Sequence, residues 1–198
     1  VISSEYLEDS EVIGYSPLVV AIGRDKGDIK KFAESDLLTS NEEIEGKGSD
    51  ETDIDFKEII KAVMNGENWS KFGGDEEEIR ILYPELDTID GELFYEFLLI
   101  TVNGGKYPKT DEEMENTKEY IEELLSKPNV QSVDMQKRLE INSGDIANDI
   151  YCAFENTVMK YADTKSVYVA YPKETIIKEI YFQSKTEKGK AFEKIILA

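Results

Sequence analysis

The hydrophobic periodicity of this chain changes after about two thirds of its 198 residues. In the first part, apolar residues recur at three- and four-residue spacing, which is typical of amphipathic helices. In the last part, they alternate with polar residues and are mainly β-branched or aromatic, which is typical of strands. The strand-like segments are Val167–Tyr171, Thr175–Phe182 and Ala191–Leu197. We therefore predict an α+β fold: one compact domain over residues 1–198, whose helical, acidic N-terminal two thirds pack on a C-terminal antiparallel β-meander at 163–198.

Four segments carry a helical pattern. The clearest begins after Asp55, a suitable N-cap, and its apolar residues lie at i, i+3, i+4, i+7 and i+8 from Phe56. Thr110–Glu113 is a capping box, in which the first and the last residue each bond to the other's backbone. The predicted helices cover 29–37, 55–64, 110–125 and 143–161.

Three short apolar segments predict buried elements. Pro17–Ile22 and Ile79–Tyr83 predict strands. Glu92–Val102 is the most apolar segment of the chain; its flanking Asp and Asn-Gly favour a buried helix, its β-branched end favours a strand, and we expect the helix. This segment is too short to cross a bilayer, so we expect no membrane insertion. The first 14 residues are predicted to be an extended arm.

Acidic residues are concentrated in the first two thirds of the chain. Residues 1–125 hold 33 acidic and 12 basic side chains, whereas residues 126–198 hold 10 acidic and 11 basic ones. The whole net charge of −20 therefore comes from the first part. Such a potential repels nucleic acid and anionic membranes, and it attracts a basic protein surface. The alternative is that the acids only keep the protein in solution, but solubility requires no particular distribution of charge.

The residue types that are missing restrict the chemistry of the chain. It has no histidine, which excludes a Ser-His-Asp or Cys-His nucleophile and a haem held by histidine. Its one cysteine, Cys152, allows neither a disulfide within the chain nor a four-cysteine zinc site, and is predicted to be a small, half-buried side chain. Neither GxxxxGK[ST] nor GxGxxG occurs. We therefore expect no enzyme activity, no metal and no other cofactor.

Candidate partner-binding residues lie in two acidic stretches and in the segment between them. The stretch at 39–55 has few apolar residues and is predicted to be a mobile loop. Trp69 and Phe72 are either aromatic anchors for a partner or part of a loop folded over the core. The predicted partner-binding residues are Glu42, Glu43, Glu45, Asp50, Glu51, Asp53, Trp69, Phe72, Asp75, Glu76, Glu77 and Glu78.

Carboxylates would have to carry any catalysis by this chain. Glu45-Gly46-Lys47 has the Glu-x-Lys spacing of a Mg²⁺-dependent nuclease, but no strand-like pattern surrounds it. Asp50–Asp55 lacks the glycine and the closing glutamate of a calcium loop. A Mg²⁺-dependent carboxylate enzyme is therefore an alternative rather than our main expectation.

Tyr83-Pro84, Phe94–Leu98 and Asn103–Gly105 form a short series of motifs. The series resembles part of the core of the SUKH immunity-protein superfamily. It covers only residues 79–105, its spacing differs, and the family's Leu-Pro stands here as Tyr-Pro. The resemblance implies an acidic immunity protein that caps a basic toxin.

These observations predict a non-catalytic protein that docks on a basic partner. It would act as an inhibitor or immunity factor that mimics nucleic acid, with no direct binding of nucleic acid. A structural assembly module of a virion or cell envelope is the first alternative, and the Mg²⁺-dependent enzyme is the second. The single cysteine favours the cytoplasm, although a leader removed before Val1 would leave the same sequence.

Overall fold

The computed structural model of the protein describes residues 10–23, 37–40, 52–134, 149–162 and 167–183. Two compact units make up the chain, one of residues 1–16 with 177–198 and the other of residues 17–176. In the first unit, the described residues are the N-terminal part of strand β1 (Ser10–Gly23) and strand β8 (Ile177–Gln183), which pairs with β1.

The second unit combines a mixed sheet with four described helices. Besides β1, its strands are β2 (Leu38–Ser40), β3 (Thr52–Ile54), β4 (Arg80–Pro84), β5 (Val130–Val133), β6 (Asp149–Phe154) and β7 (Val167–Pro172). The helices are α1 (Phe56–Met64), α2 (Ile89–Val102), α3 (Asp111–Leu125) and α4 (Glu155–Ala162), with a short 3₁₀ helix at Trp69–Phe72. The strand order is β2-β3-β7-β1-β6-β4-β5.

Three neighbouring strands of this sheet run parallel. Ile81 of β4 lies opposite Val130 of β5 on one side and opposite Ile150 of β6 on the other. By contrast, β1 is antiparallel to both β6 and β7. The carboxyl ends of β4, β5 and β6 therefore share one edge of the sheet, and helices α2 and α4 begin there.

The central strands are buried on both faces. Their side chains alternate between two apolar layers, because successive residues of a strand point to opposite sides. One layer contains Leu18, Val20, Ile81, Ile150, Cys152 and Phe154 together with the apolar residues of α1, α2 and α3. The other contains Val19, Ala21, Leu82, Tyr151, Ala153 and, from α4, Val158. Burial on both faces explains why these strands are continuous apolar runs in the sequence.

The predicted helices α1 and α3 are confirmed, although their caps differ. Asp55 stands at the N-cap of α1, but its side chain makes no cap hydrogen bond; instead, Lys173 Nζ donates to Asp55 Oδ2 at 3.1 Å. At α3 the capping box is complete, with Glu113 N donating to Thr110 Oγ1 at 3.1 Å. The backbone N–H groups of Lys109 and Thr110 donate to Glu113, and they hold the pKa of this carboxyl below its usual value.

The most apolar segment of the chain is a helix, as expected. Its N-cap is Thr88, whose Oγ1 accepts a hydrogen bond from Gly91 N at 3.1 Å. Phe94 stacks on Tyr83 of β4, with ring centroids 5.1 Å apart, and Phe97 contacts Phe56 of α1 at 5.4 Å. These contacts hold α2 between the sheet and α1.

The prediction of a C-terminal antiparallel meander is wrong. The prediction that the N-terminal two thirds are helical is also wrong. Strand β7 pairs in parallel with β3 and antiparallel with β1, and the partner of β8 among the described strands is β1. Strands β1 to β4 lie in the part that we expected to be helical. Alternating residues identify a strand but not its partner, and here the partners are far apart in sequence.

The helix predicted over 143–161 is also wrong in part. Residues 149–154 are strand β6, and the helix covers only Glu155–Ala162. Ile150 and Cys152 face one apolar layer, while Tyr151 faces the other, which is the two-residue period of a strand.

Cys152 is fully buried rather than half-buried. Burial raises the pKa of its thiol, because a charged thiolate is poorly stabilised in the core. Since the thiolate is the reactive form, Cys152 acts as a packing residue of β6.

Several predicted elements lie partly or wholly outside the described residues. These are the extended arm before Ser10, the helix at 29–37 up to Asp36, the middle of the acidic stretch at 41–51, and the strand at 191–197. The two ends of the acidic stretch are not a loop, because β2 and β3 pair antiparallel there, with Thr39 opposite Asp53.

Candidate functional site

The predicted partner-binding residues fall into four groups in the structure. Glu42, Glu43, Glu45, Asp50 and Glu51 lie outside the described residues, and Asp53 is in strand β3. Trp69 and Phe72 are buried, with exposed fractions of 0% and 3%. Asp75–Glu78 are all exposed. The exposed group is therefore the part of the prediction from which a docking surface can be built.

The two buried aromatic residues belong to the core. They form the 3₁₀ helix after α1, and their rings meet edge to face at a centroid distance of 6.4 Å. Gly73 ends this helix with a φ of 77°, a left-handed conformation that glycine adopts without strain. This geometry corresponds to the alternative of a loop folded over the core, so we leave both rings out of the docking surface.

The acidic turn at Asp75–Glu78 is held in place by backbone contacts. Trp69 N donates to Glu77 O at 3.1 Å, and Asn68 Nδ2 donates to Glu76 O at 3.2 Å. Asp75 Oδ1 accepts from Glu77 N at 3.0 Å within the turn. These bonds fix the backbone of the turn to the buried 3₁₀ helix, so its exposed carboxylates are presented from a fixed backbone.

Two of these acids line a groove of about 520 Å³, which we call the acidic groove. The end of α1 and the segment after it form one wall, the acidic turn forms a second, and the segment after α3 forms a third. Its principal lining residues are Met64, Glu67, Glu76, Glu78, Lys127 and Pro128. Met64 and Pro128 give it an apolar part, and the carboxylates give it a charged part.

Three carboxylates and one ammonium group face this groove, and two of these groups have ion-pair partners. Glu67 pairs with Lys71, and Lys127 Nζ lies 3.2 Å from Glu123 Oε1. Both pairs are partly exposed to solvent, where such a pair contributes at most about 1 kcal/mol and competing charges exchange with it readily. The groove therefore keeps a net negative charge. A lysine of another molecule can replace Lys71 as the partner of Glu67.

The chemistry of the groove suits a lysine or arginine side chain. The methylene stem of such a side chain packs on apolar surface while its head stays at the charged rim. Carboxylates form charge-assisted hydrogen bonds with that head, and arginine can bond to two oxygens at once. Glu67 and Lys127 were not predicted as site residues, because nothing local in the sequence indicates that the ends of α1 and α3 meet the acidic turn.

A second concave site lies at the carboxyl edge of the parallel strands. This crevice of about 380 Å³ is bordered by the residues that follow β4 and β5 and by the first turn of α4. It is lined by Pro84, Glu85, Thr88, Ile89, Asp90, Val133, Asp134 and Thr157. The connection from β4 leads through α2 and α3 to β5, whereas β6 leads through α4 to β7 on the other side. Crevices where connections diverge in this way are common ligand sites of sheets with parallel strands.

Neither concave site contains a metal-binding constellation. Among the residues that the structure describes, no three His, Cys, Asp or Glu side chains come together in a way that could hold a metal ion. Within the same residues, no helix has the length and apolar character needed to cross a membrane.

Comparisons with known proteins define no family for this chain. No family model matches it, and no curated protein matches it. The crystal structure of PstS from Borrelia burgdorferi is similar over 100% of this chain and 70% of that one, with 13% sequence identity and a TM-score of 0.40. The partial resemblance to SUKH immunity proteins therefore has no support from a family model.

Proposed function

We propose that this protein is a non-catalytic binding protein that docks on a basic partner through its acidic groove. The observation that carries the proposal is that Glu76 and Glu78, from the predicted acidic run, share one groove with Glu67 and with apolar surface. An inhibitor or immunity factor that covers a nucleic-acid-binding surface of its partner is the form of this function that we favour, since such surfaces are basic.

The charge around the groove supports attraction of such a partner over a distance. Residues 52–134, which the structure describes without a gap, hold 21 acidic and 8 basic side chains. A field of one sign increases the rate at which an oppositely charged protein arrives, and salt reduces this increase. The groove would then select among basic partners by contact, because charges separated by more than about 8 Å are screened at physiological salt.

The first experiment reverses two charges of the groove. In the variant Glu76→Lys/Glu78→Lys, binding of a fluorescent nona-arginine peptide, followed by anisotropy at low salt, should weaken by about tenfold or more, a loss of about 1.4 kcal/mol. The affinity of the variant should also depend less on salt, because fewer charges remain to be screened.

The matched control makes the same change in charge elsewhere. Glu115→Lys/Glu119→Lys alters two exposed acids of α3 that do not line the groove. It should reduce affinity by only about two- to threefold, through the weaker overall field. Equal losses in the two variants would show that the peptide senses net charge alone, and the docking proposal would then fail.

A second candidate function is recognition of a small solute in the crevice at the carboxyl ends of β4 and β5. The specific observation in its favour is the position of this crevice where the connections from β4 and β6 diverge. Glu85, Asp90 and Asp134 line it with carboxylates, and Thr88 and Thr157 add hydroxyl groups. This lining suits a solute that carries an amino group, because each carboxylate oxygen accepts hydrogen bonds from an ammonium.

Calorimetric titration with putrescine tests the second candidate. We expect saturable binding that Asp134→Asn weakens by about tenfold, since one charge-assisted hydrogen bond is lost. Asp87→Asn is the control, because Asp87 is exposed between the same strand and helix but does not line the crevice. Absence of binding, or an equal effect of the two variants, would exclude an amine site there.

A further inference from the structure

A third concave site lies between helices α1, α2 and α3, away from the acidic turn. This cavity of about 350 Å³, which we call the lysine cavity, is bordered by Lys57, Ile60 and Lys61 from α1 and by Val102 from α2. Helix α3 contributes Asn116, Thr117 and Tyr120. Its volume is within the range of small-molecule sites, which are mostly apolar with a few placed polar groups.

The inner part of the lysine cavity is mainly apolar, with one hydroxyl group from Thr117, and its rim is polar. Ile60 is 1% exposed and Thr117 is 5% exposed, so both lie at the base, and the half-buried Val102 adds apolar surface. Tyr120 is half-buried at the side. Burial and the carboxylate of Glu123 raise the pKa of Tyr120, although Lys61 lowers it, so its hydroxyl is a hydrogen-bond donor at neutral pH.

The charge of this cavity is opposite to that of the protein. Residues 52–125 hold 20 acidic and 7 basic side chains, yet two of those seven lysines and arginines line this one cavity. Among the described residues that line it, none is acidic. Two cations at the mouth of an apolar recess are therefore not explained by the general composition of the surface.

The two lysines differ in how far their charge is already neutralised. Lys61 Nζ donates to Glu58 Oε1 at 2.5 Å, and this bond raises the pKa of Lys61. Lys57 forms no ion pair with any residue in the described part of the chain. Lys57 is thus the stronger anchor for an anion, and Lys61 adds a second positive charge one helical turn away.

From this geometry we infer that the lysine cavity binds a small amphipathic carboxylate, with its apolar body against Ile60 and Val102 and its carboxylate at Lys57 and Lys61. An inorganic anion would use the ammonium groups but leave the apolar base empty. A neutral apolar molecule would fill the base but leave the ammonium groups without a counter-charge. Only a ligand with both parts uses the whole site.

Titration calorimetry with three probes tests this inference on the full chain. We expect 4-phenylbutanoate to bind saturably at millimolar concentration, and 4-phenylbutanamide and inorganic phosphate to bind about tenfold more weakly or not at all. Lys57→Gln should weaken 4-phenylbutanoate by about tenfold, since its charge-assisted bond is lost.

The control is Lys118→Gln, which removes a lysine from the exposed face of α3 outside the cavity. It should leave the affinity within about twofold of the wild-type value. Far-UV circular dichroism and the thermal midpoint show whether each variant is folded. If Lys57→Gln is unstable, Lys57→Met provides a second test, because methionine keeps the length of the side-chain stem. Equal binding of the acid and the amide, tighter binding of phosphate, equal effects of the two lysine substitutions, or no saturation by 4-phenylbutanoate would each overturn the inference.

Discussion

Replacing Gly91 by alanine is expected to destabilise the protein strongly, because the added methyl group overlaps backbone atoms. A Cβ atom on Gly91 would lie 2.0 Å from the carbonyl oxygen of Glu85 and 2.7 Å from the Cα atom of Leu86. Both are backbone atoms, so no side-chain rotation relieves the overlap. Overpacking of this kind costs typically 1–3 kcal/mol, and we expect a loss of about 3 kcal/mol in the free energy of unfolding, measured by urea denaturation.

The turn that meets this Cβ has little freedom to move. Glu85 O accepts two hydrogen bonds from Thr88, from N at 3.0 Å and from Oγ1 at 2.6 Å. The same Thr88 Oγ1 accepts from Gly91 N, so the turn and the first turn of α2 form one bonded unit. Moving the turn away would break this cap, which by itself contributes about 1 kcal/mol.

Gly14 provides the control for Gly91. It lies in strand β1, and a Cβ added there meets nothing within 4 Å. Gly14→Ala should therefore be neutral or slightly stabilising, because alanine has less conformational freedom to lose on folding. A Gly91→Ala variant whose stability stays within about 0.5 kcal/mol of the wild type would mean that the close approach of the two segments is not as described.

Local signals in the sequence predicted those elements whose structure depends on neighbouring residues. Helix α1 was predicted from five apolar residues on one face, and α3 from its capping box, and both patterns involve residues at most eight positions apart. Strand β6 was mistaken for helix because Ile150 and Phe154 are spaced four apart, a spacing that both periods allow. The burial of Tyr151 and Ala153 on the opposite face distinguishes the strand.

Of the candidate site, only the part formed by residues that are neighbours in the sequence could be predicted. The acidic run at Asp75–Glu78 is visible as a run of charges. Glu67 and Lys127 join it only because α1, α3 and the acidic turn come together in space, and no spacing in the sequence records that contact. The crevice depends likewise on the pairing of β4 with β6, strands that are separated by two helices and a further strand. Tertiary pairing therefore determines both the acidic groove and the crevice.

Trp69→Ala is expected to destabilise the protein strongly, because this residue of the 3₁₀ helix lies in the core. The side chain of Trp69 is completely buried and packs edge to face on Phe72. Truncating a buried tryptophan leaves a cavity and removes transfer free energy, which together cost about 3–5 kcal/mol. The loss should appear as a lower midpoint of urea unfolding, followed by circular dichroism because the variant has no tryptophan left to monitor.

Tyr107→Ala is the control for Trp69, since Tyr107 is 49% exposed and its removal should change stability by less than about 0.5 kcal/mol. In the wild-type protein, emission from this one tryptophan should be blue-shifted and protected from iodide until the protein unfolds, because no ring surface is open to solvent. Trp69→Phe should keep the affinity for nona-arginine within about twofold, because the ring is buried and the acidic turn is held by the backbone N–H of Trp69 and the side chain of Asn68. If iodide quenched the emission of the native protein freely, Trp69 would be exposed to solvent. It would then again be a candidate anchor for the partner.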